Sequence, residues 1–323
     1  MGLPSEILSI LSSRGASSIE YLRQRLGANS RDIEAAVSKL NQSAPFITRS
    51  ESEIFTLNQV SDGLSSEKIR AQLGCSADRF ILELVSTTAS TNDDLLSMIR
   101  EGRAQDRLIR VAETQTSGRG TKGRPWISVP GGSLTFSILR SVTDTSLLKD
   151  ISSLPLVVGL SLVRSINASA DIDCRLKWPN DILFQRKKLG GILIESTSIN
   201  RQCFVVIGVG INVCVPKALL EDINQPAIDL YSLGAFIDRN ILIGNMLIEL
   251  DNLLDRYFVD GFDYFRKEWC AMHAYHNQMV SFALPDGRRV EGEVIDVDSN
   301  GALVLNINGK VRRYISGEIQ LNK

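Results

Sequence analysis

The amino-acid sequence predicts an α+β protein built from three successive units, and three observations carry that expectation. At 323 residues the chain is longer than one ordinary domain. Through its middle, helical periodicity intermixes with strand-like runs instead of alternating strictly with them, which suits helices packed on a mixed sheet. Both ends have a texture of their own: short helical stripes and a hairpin at the start, and only brief β-prone runs between turn residues at the finish.

Residues 1–60 open with the apolar stripe Ile7, Leu8, Ile10 and Leu11. Ser18 is placed to cap a second helix carrying Ile19, Leu22 and Leu26, which Gly27 ends. Asn29 or Ser30 caps a third, with Ile33, Val37 and Leu40 spaced by four and three. Two β-prone runs follow, Phe46-Ile47-Thr48 and Ile54 to Leu57, joined by the polar turn Arg49 to Glu53. Three helices and a hairpin in this order predict a winged helix-turn-helix. The polar stretch Asn58 to Ser66 is the natural linker.

Residues 67–274 form the central mixed-sheet unit. Its expected strands are Phe80–Val85, Leu108–Ala112, Ser133–Leu139, Gly191–Glu195 and Phe204–Ile207, and its expected helices Thr91–Arg100, Ile151–Ser169 and Ile241–Phe258. In residues 275–323 the runs Met279–Leu284, Val290–Val297, Ala302–Ile307 and Val311–Ile315 are separated by Pro285-Asp286-Gly287, Ser299-Asn300-Gly301 and Asn308-Gly309. Turn chemistry at that spacing predicts a small SH3-like β-barrel. No internal repeat or low-complexity segment stands out.

The composition is that of an ordinary globular protein, 43% hydrophobic and 23% charged, with a net charge of -1 that gives no overall basic field. Locally, residues 1–60 hold six cations and six anions, a poor electrostatic footprint for DNA. Five cysteines stand singly, and His273 and His276 complete no zinc spacing, so no metal site is expected. Unpaired thiols fit a reducing compartment. The apolar runs Ile151–Val163, interrupted by Pro155, and Phe204–Pro216 fall short of the ~18 residues that span a bilayer. With no basic start before Ile7 and Leu8, a cytoplasmic protein without membrane contact is expected.

The densest chemical signal is Gln115-Thr116-Ser117-Gly118-Arg119-Gly120-Thr121-Lys122-Gly123-Arg124-Pro125-Trp126. It contains Gly-x-Gly-x-x-Gly, but Arg124-Pro125-Trp126 and then Val129-Pro130-Gly131-Gly132 cannot start the helix that a dinucleotide fold requires. What remains is a glycine-hinged loop with three cations, suited to phosphate or carboxylate oxygens. Lys177-Trp178-Pro179-Asn180-Asp181 packs three polar groups into a rigid strand exit. Lys187-Lys188-Leu189-Gly190-Gly191 sets two cations and a double glycine at the mouth of a strand. Gly208-Val209-Gly210-Ile211-Asn212 closes another, its glycines allowing backbone to pass close to a ligand, and Ser90-Thr91-Asn92 heads a helix. Taken singly, each has a plainer reading as solvated loop, strand end or N-cap.

Together, in this order and spacing, these segments resemble the biotin protein ligases, and the resemblance spans the chain, matching the bifunctional bacterial class that also represses the biotin operon. It implies a central domain of class II synthetase type. It also implies formation of biotinyl-5′-AMP from biotin and ATP with Mg²⁺, then transfer of biotin to a lysine of the biotin carboxyl carrier protein of acetyl-CoA carboxylase. Biotin contacts are implied for Ser90, Thr91, Asn92, Gln115, Gly118, Arg119, Gly120, Thr121, Lys188, Gly191 and Gly208. ATP contacts are implied for Arg119, Arg124, Trp126, Lys177, Asn180 and Asn212, and catalytic roles for Lys188, Arg119 and Asp181. Operator DNA would meet Ser30, Arg31, Glu34 and Lys39, on a homodimer formed with the adenylate bound.

One departure stands out: the family loop reads Gly-Arg-Gly-Arg-x-Gly-Arg, and here Thr121 replaces its second arginine. One fewer guanidinium implies weaker retention of the adenylate. Two other classes share parts of the pattern, a ligand-sensing DNA-binding regulator without ligase activity and a lipoate-type ligase.

Overall fold

The computed structural model describes residues 2–42, 45–58, 63–142, 151–199, 202–223 and 225–320. Residues 59–62 of the expected linker lie outside them.

The first unit holds helix α1 (Leu3–Arg14), strand β1 (Ser17–Ser18), helices α2 (Ile19–Leu26) and α3 (Ser30–Leu40), and strands β2 (Ile47–Arg49) and β3 (Ile54–Leu57). Local chemistry sets its boundaries. The Ser18 side chain accepts from the Tyr21 N–H, Gly27 takes the left-handed conformation that ends α2, and Asn29 rather than Ser30 caps α3 by accepting from Asp32. The three strands pair in the order β1-β3-β2.

The central sheet has seven strands in the order β4-β5-β6-β10-β9-β8-β7. They are β4 (Ile81–Thr88), β5 (Leu108–Gln115), β6 (Ser133–Val142), β7 (Arg175–Lys177), β8 (Asp181–Phe184), β9 (Lys187–Ile199) and β10 (Gln202–Asn212). Only β4 and β5 run parallel, so the sheet is mixed, as expected. The helices of this unit are α4 (Ser66–Leu73), α5 (Thr91–Arg100), α6 (Leu154–Ala170), α7 (Lys217–Glu221), α8 (Arg239–Asp260) and α9 (Asp263–Met272).

The pleat divides the sheet into two faces. On β10, Val205, Ile207, Val209 and Ile211 join a core with buried residues of α6 and α8. Phe204 and Val206 point the other way, against Leu95, Met98 and Ile99 of α5. Pro155 does not interrupt α6, because it lies in the first turn, where its missing N–H costs nothing. The apolar segment therefore runs from Ile151 to Ala170, longer than the sequence reading allowed and long enough to cross a membrane, but most of it is buried inside the fold.

The last unit is a five-stranded antiparallel sheet in the order β14-β13-β12-β11-β15. Its strands are β11 (Met279–Ala283), β12 (Arg289–Val297), β13 (Leu303–Ile307), β14 (Lys310–Tyr314) and β15 (Glu318–Gln320). With β14 and β15 at opposite ends, the recorded pairings leave this sheet open rather than closed into the expected barrel.

Candidate active site

A cavity of about 520 Å³ lies beyond the start of α5, on the sheet face that α5 covers. Its floor follows from the pleat. Past Phe204 and Val206, the same face of β10 continues through Gly208, Gly210 and Asn212, so the apolar cover gives way to bare backbone. Cross-strand pairing sets Leu193 and Ser137 beside Gly208, and Gly191 and Thr135 beside Gly210.

The glycines serve neighbouring side chains more directly than the sequence reading expected. A Cβ on Gly208 would come within 2.3 Å of Asn92 Oδ1, and one on Gly210 within 2.4 Å of the Trp126 indole. One on Gly191 would approach the Lys188 ammonium to 3.2 Å. The missing side chains thus let Asn92, Trp126 and Lys188 lie flat on the sheet.

Ser90 caps α5, its hydroxyl accepting from Asp93 N–H at 3.4 Å. Thr91 donates through its N–H and hydroxyl to Gln115 Oε1, at 2.8 and 3.1 Å. The buried Ser137 hydroxyl lies 2.7 Å from Thr91 Oγ1 and 2.6 Å from Asn92 Oδ1, while Asn92 Nδ2 donates to Glu195 at 2.8 Å. These bonds give one end of the cavity a fixed polar wall.

The glycine-rich segment folds back on itself: Gly120 N–H donates to Arg124 at 2.7 Å, and Trp126 N–H to Gly118 at 2.8 Å. Lys122 takes a left-handed turn with φ 60°. Gly118 is packed under Trp126 rather than lining the cavity, whereas Arg119, Gly120, Thr121, Arg124 and Trp126 do line it. The Trp126 indole N–H is buried and has no acceptor among the described residues.

All three loop cations are engaged by carboxylates. Arg119 donates to Asp93 and, at 3.1–3.2 Å, to both oxygens of Glu195; the hydrogen bond to Asp93 is the main reason its guanidinium is held in the charged form. Lys122 and Arg124 both reach Glu318 on β15, each at 3.1 Å. Burial would raise the Glu318 carboxyl, but the Lys122 hydrogen bond and the Arg124 charge more than offset it and hold it below the usual range.

Lys188 Nζ lies 2.7 Å from Asp181 Oδ1, and both side chains are mostly buried. The Lys188 backbone is pinned as well, donating to Pro226 and accepting from Ile228. Asp181 stands behind Lys188 and does not line the cavity; nor does Lys177, whose ammonium is depressed chiefly by burial. The segment Lys177–Asp181 is therefore the turn of the β7–β8 hairpin, with Lys177 and Asp181 paired across it. From that turn Asn180 reaches the cavity and donates to Ile192 C=O at 2.8 Å, while Asn212 donates to Ile228 C=O at 3.1 Å.

Sequence reasoning missed four polar residues: Ser137, Asp93, Glu195 and Glu318. Asp93 directly follows Ser90-Thr91-Asn92 in the first turn of α5, so adjacency reaches it, and Glu195 shares a β9 face with Gly191 and Leu193, so a strand-period reading reaches that one. It also missed the far wall, formed by Val215, Leu219, Asp222, Ile223 and Gln225 with Gly2 and Ser5 of the first unit. Ser5 donates to Asp222 at 3.2 Å, and the apolar side of α1 and α3 shares one core with Val129, Cys214, Val215 and Leu219. The DNA-facing candidates are distributed differently from one another. Arg31 is exposed, Ser30 half-buried, Glu34 is bonded to Arg49 at 2.9 Å, and Lys39 turns toward Glu221 at 3.8 Å.

Residues 84–212 match the biotin/lipoate A/B protein ligase family, and residues 275–322 the biotin protein ligase C-terminal domain. The bifunctional ligase/repressor BirA of Salmonella typhimurium is 28% identical over 320 residues, 99% of this chain and 97% of the relative. The biotin–[acetyl-CoA-carboxylase] ligase of Mycobacterium tuberculosis is 32% identical over 261 residues, 79% of this chain and 95% of its own. Among solved structures, the biotin protein ligase from Aquifex aeolicus in complex with biotin and ATP superposes with a TM-score of 0.64 at 28% identity, over 75% of this chain and 98% of that one. With both the cavity-forming sheet and the C-terminal strands matched, and a relative of this identity covered almost end to end, the chain belongs to the biotin protein ligase family.

Proposed function

We propose that this protein is a biotin protein ligase that joins biotin to ATP as biotinyl-5′-AMP and then passes biotin to a lysine of a biotin carboxyl carrier protein. The observation that carries the reading is the convergence on one cavity of the α5 cap, the Arg119 loop, Lys188 and the two asparagines.

In the first step the biotin carboxylate oxygen attacks the α-phosphorus of ATP, and the bond to pyrophosphate breaks. Two anions must meet, and unit charges at 4 Å repel by about 4 kcal/mol at an effective dielectric near 20. Lys188, aimed by Asp181 and pinned through its backbone, is the fixed cation for that meeting point. Arg119 is the movable one, held at the rim by Asp93 and Glu195. The Thr91–Gln115–Asn92–Ser137 network orients the uncharged ring of biotin, and Asn180 and Asn212 face the nucleotide. Among the described residues no group of three or more His, Cys, Asp and Glu side chains is arranged to hold a metal ion; the Mg²⁺ expected with ATP would be held largely by the phosphate oxygens and water. In the second step the acceptor amine attacks the acyl carbon and AMP leaves, which needs no enzyme nucleophile.

The same reading assigns residues 1–60 to a winged helix-turn-helix, 67–274 to the catalytic domain and 275–323 to an SH3-like domain. It extends to a cytoplasmic homodimer whose exposed Arg31 meets operator DNA as a repressor. Incubation with ATP, labelled biotin and a carrier domain tests the central claim. ATP-dependent label transfer is expected; biotin binding without transfer would make the protein a sensor, and lipoate transfer would reassign its substrate.

A further inference from the structure

We propose that Asp93 and Glu195 are positioning residues that hold the Arg119 loop against α5 and β9 and thereby set how long the acyl-adenylate is retained. The proposal rests on the ligase reading above and names the device that keeps its loop in place.

Three pieces of chain far apart in sequence meet at these two carboxylates. Arg119 in the loop donates to Asp93 in the first turn of α5 and to both oxygens of Glu195 on β9, so its planar guanidinium is shared between two anions. Glu195 also accepts from Asn92, at 2.8 Å, so it is fixed from behind by the polar wall of the cavity. Asp93 is steadied by the α5 cap, where its own N–H meets Ser90. The floor thus presents a preformed socket and the loop supplies the plug. Neither carboxylate lines the cavity, whereas Arg119 and its neighbours Gly120 and Thr121 do. Asp93 therefore acts on a ligand only through the loop, and Glu195 through the loop and through Asn92, which lines the cavity. Because Arg119, Asp93 and Glu195 are 38%, 47% and 25% exposed, the socket is a reversible latch open to water and salt rather than a permanent part of the core.

The test compares Asp93→Asn, Glu195→Gln and the double variant with the parent protein. Trypsin cleavage after Arg119 and Lys122 is mapped by mass spectrometry without ligand, and release of biotinyl-adenylate is followed by rapid dilution. The double variant is expected to be cut at the loop, and to release the adenylate, about tenfold faster, as for loss of two partly exposed charge-assisted contacts. The biotin KM should rise in step while the circular dichroism of the folded protein is unchanged. High salt should speed loop cleavage in the parent and leave the double variant little changed, a response that a merely structural role would not give. Unchanged cleavage or unchanged release overturns the proposal. Arg119→Ala, run alongside, separates the two readings: faster release there with none in the double variant refutes the latch alone, and no change in either refutes the loop's part in retention.

Discussion

Gly208→Ala probes the floor of the cavity with a single methyl group. The new Cβ would lie 2.3 Å from Asn92 Oδ1 and 3.0 Å from its Cγ. The strand cannot yield easily, because β10 is paired on both sides, with Ser137 on β6 and Leu193 on β9 as neighbours of Gly208. Asn92 must therefore rotate away, abandoning the 2.6 Å bond from Ser137 and its own 2.8 Å bond to Glu195. A neutral hydrogen bond is worth about 1 kcal/mol and one to a charged partner about 1.5–3 kcal/mol, so the expected loss of stability is about 3 kcal/mol. Urea denaturation followed by tryptophan fluorescence measures it, since all three tryptophans, Trp126, Trp178 and Trp269, belong to the central unit. The decisive comparison is a double-mutant cycle with Asn92→Ala. That variant loses the same bonds but leaves room for the methyl, so adding Gly208→Ala to it should cost less than about 1 kcal/mol. Costs that add to within about 0.5 kcal/mol would show that Asn92 and Gly208 do not compete for the same space.

Three further outcomes follow from the geometry. Asp181→Asn leaves the Lys188 ammonium without its 2.7 Å partner in a mostly buried place; transfer of labelled biotin should fall about tenfold with unchanged circular dichroism, and full activity would remove Asp181 from the mechanism. Thr121→Arg restores a cation at the cavity lining and should slow biotinyl-adenylate release several-fold, an unchanged rate refuting the idea. His273 is buried, and that burial, helped by His276, pushes its imidazole down to about 3. Between that value and its ordinary 6.5 the unfolded chain binds the proton and the folded chain does not, so stability is lost as pH falls through this window, by up to about 1.4 kcal/mol per pH unit. His273→Gln should flatten that slope in urea midpoints measured from pH 7 to pH 4, and an identical slope would place the acid sensitivity elsewhere.

The elements legible in the sequence are those whose causes are local. Ser18, Gly27 and Ser90 mark helix ends through their own side chains or lack of one, and α5 runs over Thr91–Arg100 as periodicity predicts. The short strands β7 and β8 escaped notice because three or four residues on either side of Trp178-Pro179-Asn180 show no alternation to read. The gathering of Ser90, Gln115, Arg119, Lys188 and Asn212 at one cavity was legible through motif order. Asp181 as the partner of Lys188 was legible too, but the carboxylates that hold the loop cations were not. Arg119 meets Glu195 from 76 positions away, and Lys122 meets Glu318 from 196, distances bridged only by sheet register and by the packing of the last unit.

The seam between α1 and the Val129–Leu219 region carries a lesson for anyone wishing to trim or graft this enzyme. Cutting away the first unit would uncover Val129, Val215 and Leu219, now 1%, 4% and 0% exposed, and would remove Gly2 and Ser5 from the rim they help to build. A shortened chain would therefore be a sticky protein with a breached pocket, not a simpler version of the same catalyst. A foreign head attached in its place would have to reproduce that greasy joint before any chemistry could be compared.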